Sequence, residues 1–303
     1  MRANLFFTIV LAALSAAPVR AQVTSSKPSD CRLIINVVSA RWSIEDYDPF
    51  GAEVPFKQFQ LALTNSGTGT CLGALEAELL DEPYGLAGLG TDRVPYTLVD
   101  EEASRDLTPR AGRSSQTMRG RPLAVGPGET VTRLLSFVVD ASQLRGDGSF
   151  SQKLRLQAVG REQDVLTSRD LSLELQVRPV TAIQLAGAVS RRAGSGATVD
   201  LGELSKGLHQ SPLQLQVQST RGYVVSFSSE NQGRLSLGAT GWSVPYALVL
   251  DGERYQLNQP SSLRVGGWKE RFDRFSLGFD VESVSGLRAG RYSDVLTISV
   301  RPM

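Results

Sequence analysis

Two cysteines, Cys31 and Cys71, and a single histidine, His209, are the sparse reactive side chains of this 303-residue chain. One imidazole excludes any metal or proton-relay chemistry that needs two. His209 stands in no motif and no Gly-x-Ser-x-Gly elbow occurs, so a serine-hydrolase nucleophile has no setting. Glu45, Asp46 and Asp48 form a small acidic cluster. Tyr47 and Pro49 break the ligand spacing of a calcium loop, so a solvated turn is the expectation there. In Gly85-Leu86-Ala87-Gly88-Leu89-Gly90 the glycines are misordered for a dinucleotide fingerprint, and no Lys-Ser/Thr follows for a phosphate loop. These residue types point away from an enzyme; no metal and no cofactor is expected.

What the cysteines do depends on the compartment. Met1-Arg2-Ala3-Asn4 gives a positive start, Leu5 to Ala17 is an apolar run, and Val19 and Ala21 fit a small-residue cleavage site. The run falls short of the ~20 residues that span a bilayer, so residues 1–21 read as a signal peptide rather than an anchor. Export permits a disulfide, and Cys31–Cys71 is the expected pair. Two free thiols with a redox role are the alternative, which no C-x-x-C supports. Lys+Arg 32 against Asp+Glu 31 leaves no basic excess to grip nucleic acid. No later apolar run is long enough to span a membrane.

The elements that must carry these residues read as strands. Leu33–Val38, Phe59–Thr64, Leu134–Val139, Leu154–Val159, Leu171–Val177, Leu213–Val217, Tyr223–Phe227 and Val295–Val300 are short and β-rich. Several alternate apolar and polar residues with the period of a half-buried strand. Turn clusters such as Asn65-Ser66-Gly67 and Gly126-Pro127-Gly128 punctuate them. Gly73 to Leu80 is the one Ala/Glu-rich helical possibility and is too short to compete. The expected class is all-β, in two sandwiches.

A repeat supports the division. Val94-Pro95-Tyr96-Thr97-Leu98-Val99 matches Val244-Pro245-Tyr246-Ala247-Leu248-Val249, and Leu144–Leu154 lines up with Leu287–Leu296 in the same order. A tandem duplication with a boundary near Arg178-Pro179 follows, giving domains 22–178 and 179–303.

The closing segment Gly286-Leu287-Arg288-Ala289-Gly290-Arg291-Tyr292-Ser293-Asp294-Val295-Leu296-Thr297-Ile298-Ser299-Val300 resembles the terminal strand of spore coat protein U-type domains, the subunits of archaic chaperone–usher pili. Gly290, Tyr292, Asp294, Leu296 and Ile298 carry the likeness. Val199–Leu204, Tyr223–Ser228 and Val244–Tyr246 resemble further family strands, and Cys31 with Tyr47-Asp48-Pro49-Phe50-Gly51 the family's opening. The second half departs from the family in having no cysteine.

The resemblance implies immunoglobulin-like sandwiches, of which a pilin lacks its last strand and receives one from the next subunit. It also implies a periplasmic pilus chaperone, an outer-membrane usher, a neighbouring subunit's donor strand and a host or abiotic surface as partners, with the chain ending at the cell surface. Gln22–Asp30, with one Val and a Pro, is a poor donor strand. Leu171–Val177 could complete the first sandwich, whereas the second shows no strand after Val300. The expectation is a two-domain tip subunit that accepts a strand and gives none. A secreted or periplasmic binding module with no pilus role is the alternative. Tyr84, Leu86 and Leu89, with Trp42 and Phe50, are the expected surface-binding loop residues, or else the leucines tuck back onto the sandwich.

Overall fold

The computed structural model describes residues 30–89, 92–114, 121–187, 191–193 and 196–303. The expected signal peptide and donor-like stretch, residues 1–29, and Gly90 lie outside the described residues.

The first half runs through β1 (Leu33–Val37), β2 (Arg41–Tyr47), β3 (Phe56–Asn65), β4 (Cys71–Leu79), β5 (Leu86–Ala87) and β6 (Arg93–Val94). It continues through β7 (Tyr96–Asp100), β8 (Arg105–Asp106), β9 (Leu123–Val125), β10 (Thr130–Val139), β11 (Gly148–Gly160) and β12 (Val165–Val177). The second half holds β13 (Thr181–Gly187), β14 (Arg191–Ala193), β15 (Gly196–Thr198), β16 (Gly207–Ser219), β17 (Tyr223–Ser229) and β18 (Arg234–Ser236). There follow β19 (Ser243–Leu250), β20 (Glu253–Gln256), β21 (Ser261–Val265), β22 (Arg271–Val281) and β23 (Leu296–Pro302). A 3-10 turn at Ala141–Gln143 is the one helical element among the described residues, so no described helix is long and apolar enough to cross a membrane. Of the helical possibility Gly73 to Leu80, residues 73–79 are strand within β4 and Leu80 follows it.

Two sheets in the order β1-β3-β10-β7-β8 and β2-β12-β11-β4-β9 face each other in the first sandwich. In the second, β13-β16-β22-β19-β18 faces β21-β17-β23. The correspondence is strand by strand. β3, β10 and β7 pair in series as β16, β22 and β19 do, and β4 lies between β9 and β11 as β17 lies between β21 and β23. Tyr96 and Tyr246 open equivalent registers, opposite Val139 and Val281. Both blocks of the sequence repeat thus occupy equivalent places, on β7 and β19 and leading into β11 and β23. Only three residues, Arg178-Pro179-Val180, separate β12 from β13.

The two cores are closed to different degrees. Among the described residues the first has 29 buried with 7 partly buried ones packed against them. In the second, again among the described residues, 14 are buried and 16 are only partly so. Similar alternating strands have therefore shut one core and left the other half open. The Cys31–Cys71 bridge adds a staple to the first, with its Cα atoms 5.1 Å apart.

Candidate functional site

The difference lies beside one strand. In the first sandwich β12 runs antiparallel to β11, from Gly148↔Val177 to Leu154↔Leu171 and on toward the hairpin. On its other side it runs parallel to β2, from Ser172↔Arg41 to Val177↔Tyr47. Leu171, Leu173, Leu175 and Val177 alternate with polar residues, face inward and are buried. Outward, Glu174 accepts from Ser149 Oγ at 2.6 Å and pairs with Arg41 at 3.2 Å. A two-residue period, two flanking ladders and a dry inner face make β12 a strand that seals the sandwich from within the chain.

In the second sandwich β23 occupies the place of the second half of β11, Leu154–Gly160, and the segment that leads into it the place of the first half. One edge pairs with β17 from Tyr223↔Pro302 to Ser229↔Leu296, and no described strand pairs with the other. Among the described strands β13, across the gap, is paired with β16. The inner residues at this gap remain partly in water: Leu185 on β13, Leu296, Ile298 and Val300 on β23, and Phe275 and Phe279 behind them. Ile183 sits opposite buried Val217 and so on the inward face, yet is 39% exposed. The result is an apolar groove beside an unpaired strand edge, which offers backbone hydrogen bonds along one side and side-chain room along its floor.

The residues that suggested this half of the chain by their motif fix the strand's approach. The Asp294 carboxylate accepts from Ser229 Oγ at 2.5 Å, Tyr246 Oη at 2.6 Å and the Asn231 backbone N–H at 3.0 Å. Burial, and next the bond to Asp294, push the Tyr246 hydroxyl well above its ordinary value, so it stays a donor. Tyr292 ties its loop by donating to the Arg288 carbonyl at 2.8 Å. Gly290 is packed so closely that an added Cβ would lie 2.5 Å from Leu237 Cδ1. Leu296 and Ile298 follow as the first inward residues of the open-edged strand.

The expected surface loop is not assembled as the sequence suggests. Trp42 is no loop residue: it lies on β2, 2% exposed, its ring stacked on Phe59 with centroids 4.8 Å apart. Leu86 is fully buried, because β5 pairs with β6 and with Ser151 of β11 and draws that side chain into the core. Tyr84 is partly buried, tilted against Tyr96 at 5.0 Å, and its hydroxyl donates to the Tyr96 carbonyl. Phe50 is half-buried in a turn where its N–H donates to Asp48 Oδ1 at 2.9 Å. Leu89 alone stands free, 92% exposed.

The registers also place this loop. Ala87 pairs near the start of β11, and Phe50 follows Tyr47, which sits opposite Val177. Both therefore lie at the end from which the linker leaves. The opposite end carries polar turns, Asn65–Cys71, Gly126–Glu129 and Gly160–Asp164, the first two braced by buried Asn65. Its Nδ2 donates to the carbonyls of Gly69, Val125 and Gly126, and its Oδ1 accepts from the N–H of Gly67. Asn65 is a residue that sequence reasoning treated only as turn punctuation.

No metal-holding group of three or more His, Cys, Asp or Glu side chains occurs among the described residues. Around the acidic turn, burial raises the Asp48 carboxyl, but bonds from Arg178 and from the N–H groups of Phe50 and Gly51 outweigh it, and the net shift is downward.

No family model matches the chain, and no curated protein matches it. Among solved structures, the chain is similar to the CsuC–CsuE chaperone–tip adhesion subunit pre-assembly complex from archaic Csu pili of Acinetobacter baumannii. The identity is 12%, over 88% of this chain and 99% of that one, with a TM-score of 0.46. CfaE, the adhesive subunit of CFA/I fimbria of enterotoxigenic Escherichia coli, is 12% identical over 86% and 91%, with a TM-score of 0.35. The E. coli chaperone DraB is 12% identical over 89% and 99%, with a TM-score of 0.27.

Proposed function

We propose that this chain is a subunit of an archaic chaperone–usher pilus, and specifically its two-domain tip. The observation that carries the reading is the contrast between β12, which seals the first sandwich, and the edge of β23 in the second, which no described strand pairs. A sandwich that closes itself has no need of a partner strand. One that leaves an apolar groove and a free edge is an aggregation hazard unless another chain covers it. The motif resemblance around Gly290–Ile298 names the class of partner: a chaperone strand before assembly, and a neighbouring subunit's donor strand afterwards.

The sealed first sandwich would then make the surface contact, with its polar far end presented outermost. Export to the periplasm and passage through an outer-membrane usher belong to the same reading. Expressed in a bacterial periplasm, the full chain should accumulate only with a pilus chaperone from its own genome, as a one-to-one complex. An equal yield of monodisperse monomer without a chaperone would sink the proposal.

A further inference from the structure

The groove strands are nearly without charge. β13, Thr-Ala-Ile-Gln-Leu-Ala-Gly, carries none, and β23, Leu-Thr-Ile-Ser-Val-Arg-Pro, carries one, Arg301. Arg301 is exposed, has the outward parity of Thr297 and Ser299, and makes no ion pair with the described residues. The other core offers a comparison. Along β12 apolar residues face inward and one outward residue, Glu174, is an acid held by Arg41 and Ser149; it stands opposite Ser151, whereas by the repeat Arg301 corresponds to Val159.

We infer that the strand received by the second sandwich carries an acidic side chain on its solvent face, opposite Arg301, between apolar residues that fill the groove. This rests on the reading that the groove takes a partner strand. The register follows from the pleat. A strand antiparallel to β23 places apolar residues opposite Pro302, Val300, Ile298 and Leu296, and its outward residues opposite Arg301, Ser299 and Thr297. An acid opposite or diagonal to Arg301 is favoured and a base there is disfavoured. The chain's own Leu171–Val177 segment has this pattern: aligned antiparallel to β23 with Leu173, Leu175 and Val177 opposite Pro302, Val300 and Ile298, it sets Glu174 opposite Arg301. Arg301 would thus select partners by charge where the groove floor selects only by shape.

The experiment uses the full chain and synthetic peptides of the Asp170–Arg178 sequence, with hydrogen exchange of the β23 amides and peptide affinity as readouts. In the free chain the β23 amides that do not bond to β17 should exchange rapidly. The peptide should protect them, and the Leu173→Asp peptide should not. At low salt, a Glu174→Lys peptide should bind about two- to five-fold more weakly, the range of one cross-strand ion pair. Against the Arg301→Glu chain the preference between the two peptides should invert. Protection of those edge amides in the free chain would overturn the partner-strand reading itself. Rapid exchange with no peptide protection, or protection with the same peptide preference in the Arg301→Glu chain, would overturn the role of Arg301 and leave the open groove standing.

Discussion

Asp147 and Arg221 clasp the two sandwiches together: Nε and Nη2 of Arg221 each donate to the Asp147 carboxylate at 2.6 Å. The Asp147 side chain is 5% exposed, and Thr220 Oγ1 donates to it as well, at 2.8 Å. Thr220 also exchanges backbone and side-chain bonds with Val180 in the linker, and Arg221 Nη1 reaches the Met303 carbonyl at 3.2 Å. One carboxylate thus gathers the loop entering β11, the turn before β17 and, through Arg221, the segment after β23.

Asp147→Asn should loosen that joint. Loss of charge-assisted bonds at a buried carboxylate costs about 2–3 kcal/mol, and none of it belongs to either core. Spin labels, one on each sandwich, should show a broadened distance distribution, with the far-ultraviolet circular dichroism unchanged. A distribution as narrow as the parent's would mean that the linker alone sets the orientation.

Equivalent truncations in the two cores should differ in cost. Leu173→Ala removes a side chain sealed in β12 and should weaken the first sandwich by about 2–5 kcal/mol. Ile298→Ala, at a site already partly in water, should weaken the second by no more than about 1–2 kcal/mol. Urea unfolding, followed by Trp42 fluorescence for one sandwich and Trp242 and Trp268 for the other, separates them. Equal costs would contradict an open groove.

Acid should act on the second sandwich through Asp273. Burial raises its carboxyl, but bonds from Arg271 and from the Tyr223 hydroxyl, the latter at 2.7 Å, outweigh it, so the folded value lies below the ordinary 3.8. Such a group adds stability that is complete above 3.8 and is lost as the pH falls through the lower folded value. Asp273→Asn should therefore flatten the second sandwich's loss below about pH 4, a loss of order 1–2 kcal/mol. The first sandwich keeps its own lowered carboxyls, Asp48, Asp106 and Asp170, and should still weaken. An unchanged acid slope in the variant's second transition would refute the assignment.

Sequence periodicity made the strands legible where one face is wet: Leu171, Leu173, Leu175 and Val177 announce both a strand and the side it buries. The Val-Pro-Tyr repeat survives as two equivalent registers because its tyrosines sit at matching points of matching sheets. Trp42 and Leu86 were not legible as core. Their burial depends on Phe59 stacking and on a two-residue strand meeting Ser151, and such long-range partners leave no local pattern. The clasp between Asp147 and Arg221 spans 74 residues of sequence and lies in turns, where charged residues are ordinary. The groove was legible in outline, from the strand that follows the repeat in the first half and has no counterpart among the described strands of the second. Its depth follows from which inward residues stay half in water, and that requires the fold.

Val177 ends the sealing strand and Thr181 begins the next sandwich, with Arg178 fastened between them to Asp48 at 2.6 Å and to the Tyr47 carbonyl. A pull on the second sandwich therefore enters β12 lengthwise. Its ladders to β11 and β2 are loaded in shear, with many hydrogen bonds sharing the strain at once instead of parting one by one. Survival under such tension is set by the rate of unfolding rather than by equilibrium stability. The strand that closes the first core is also the tether through which that core would bear load.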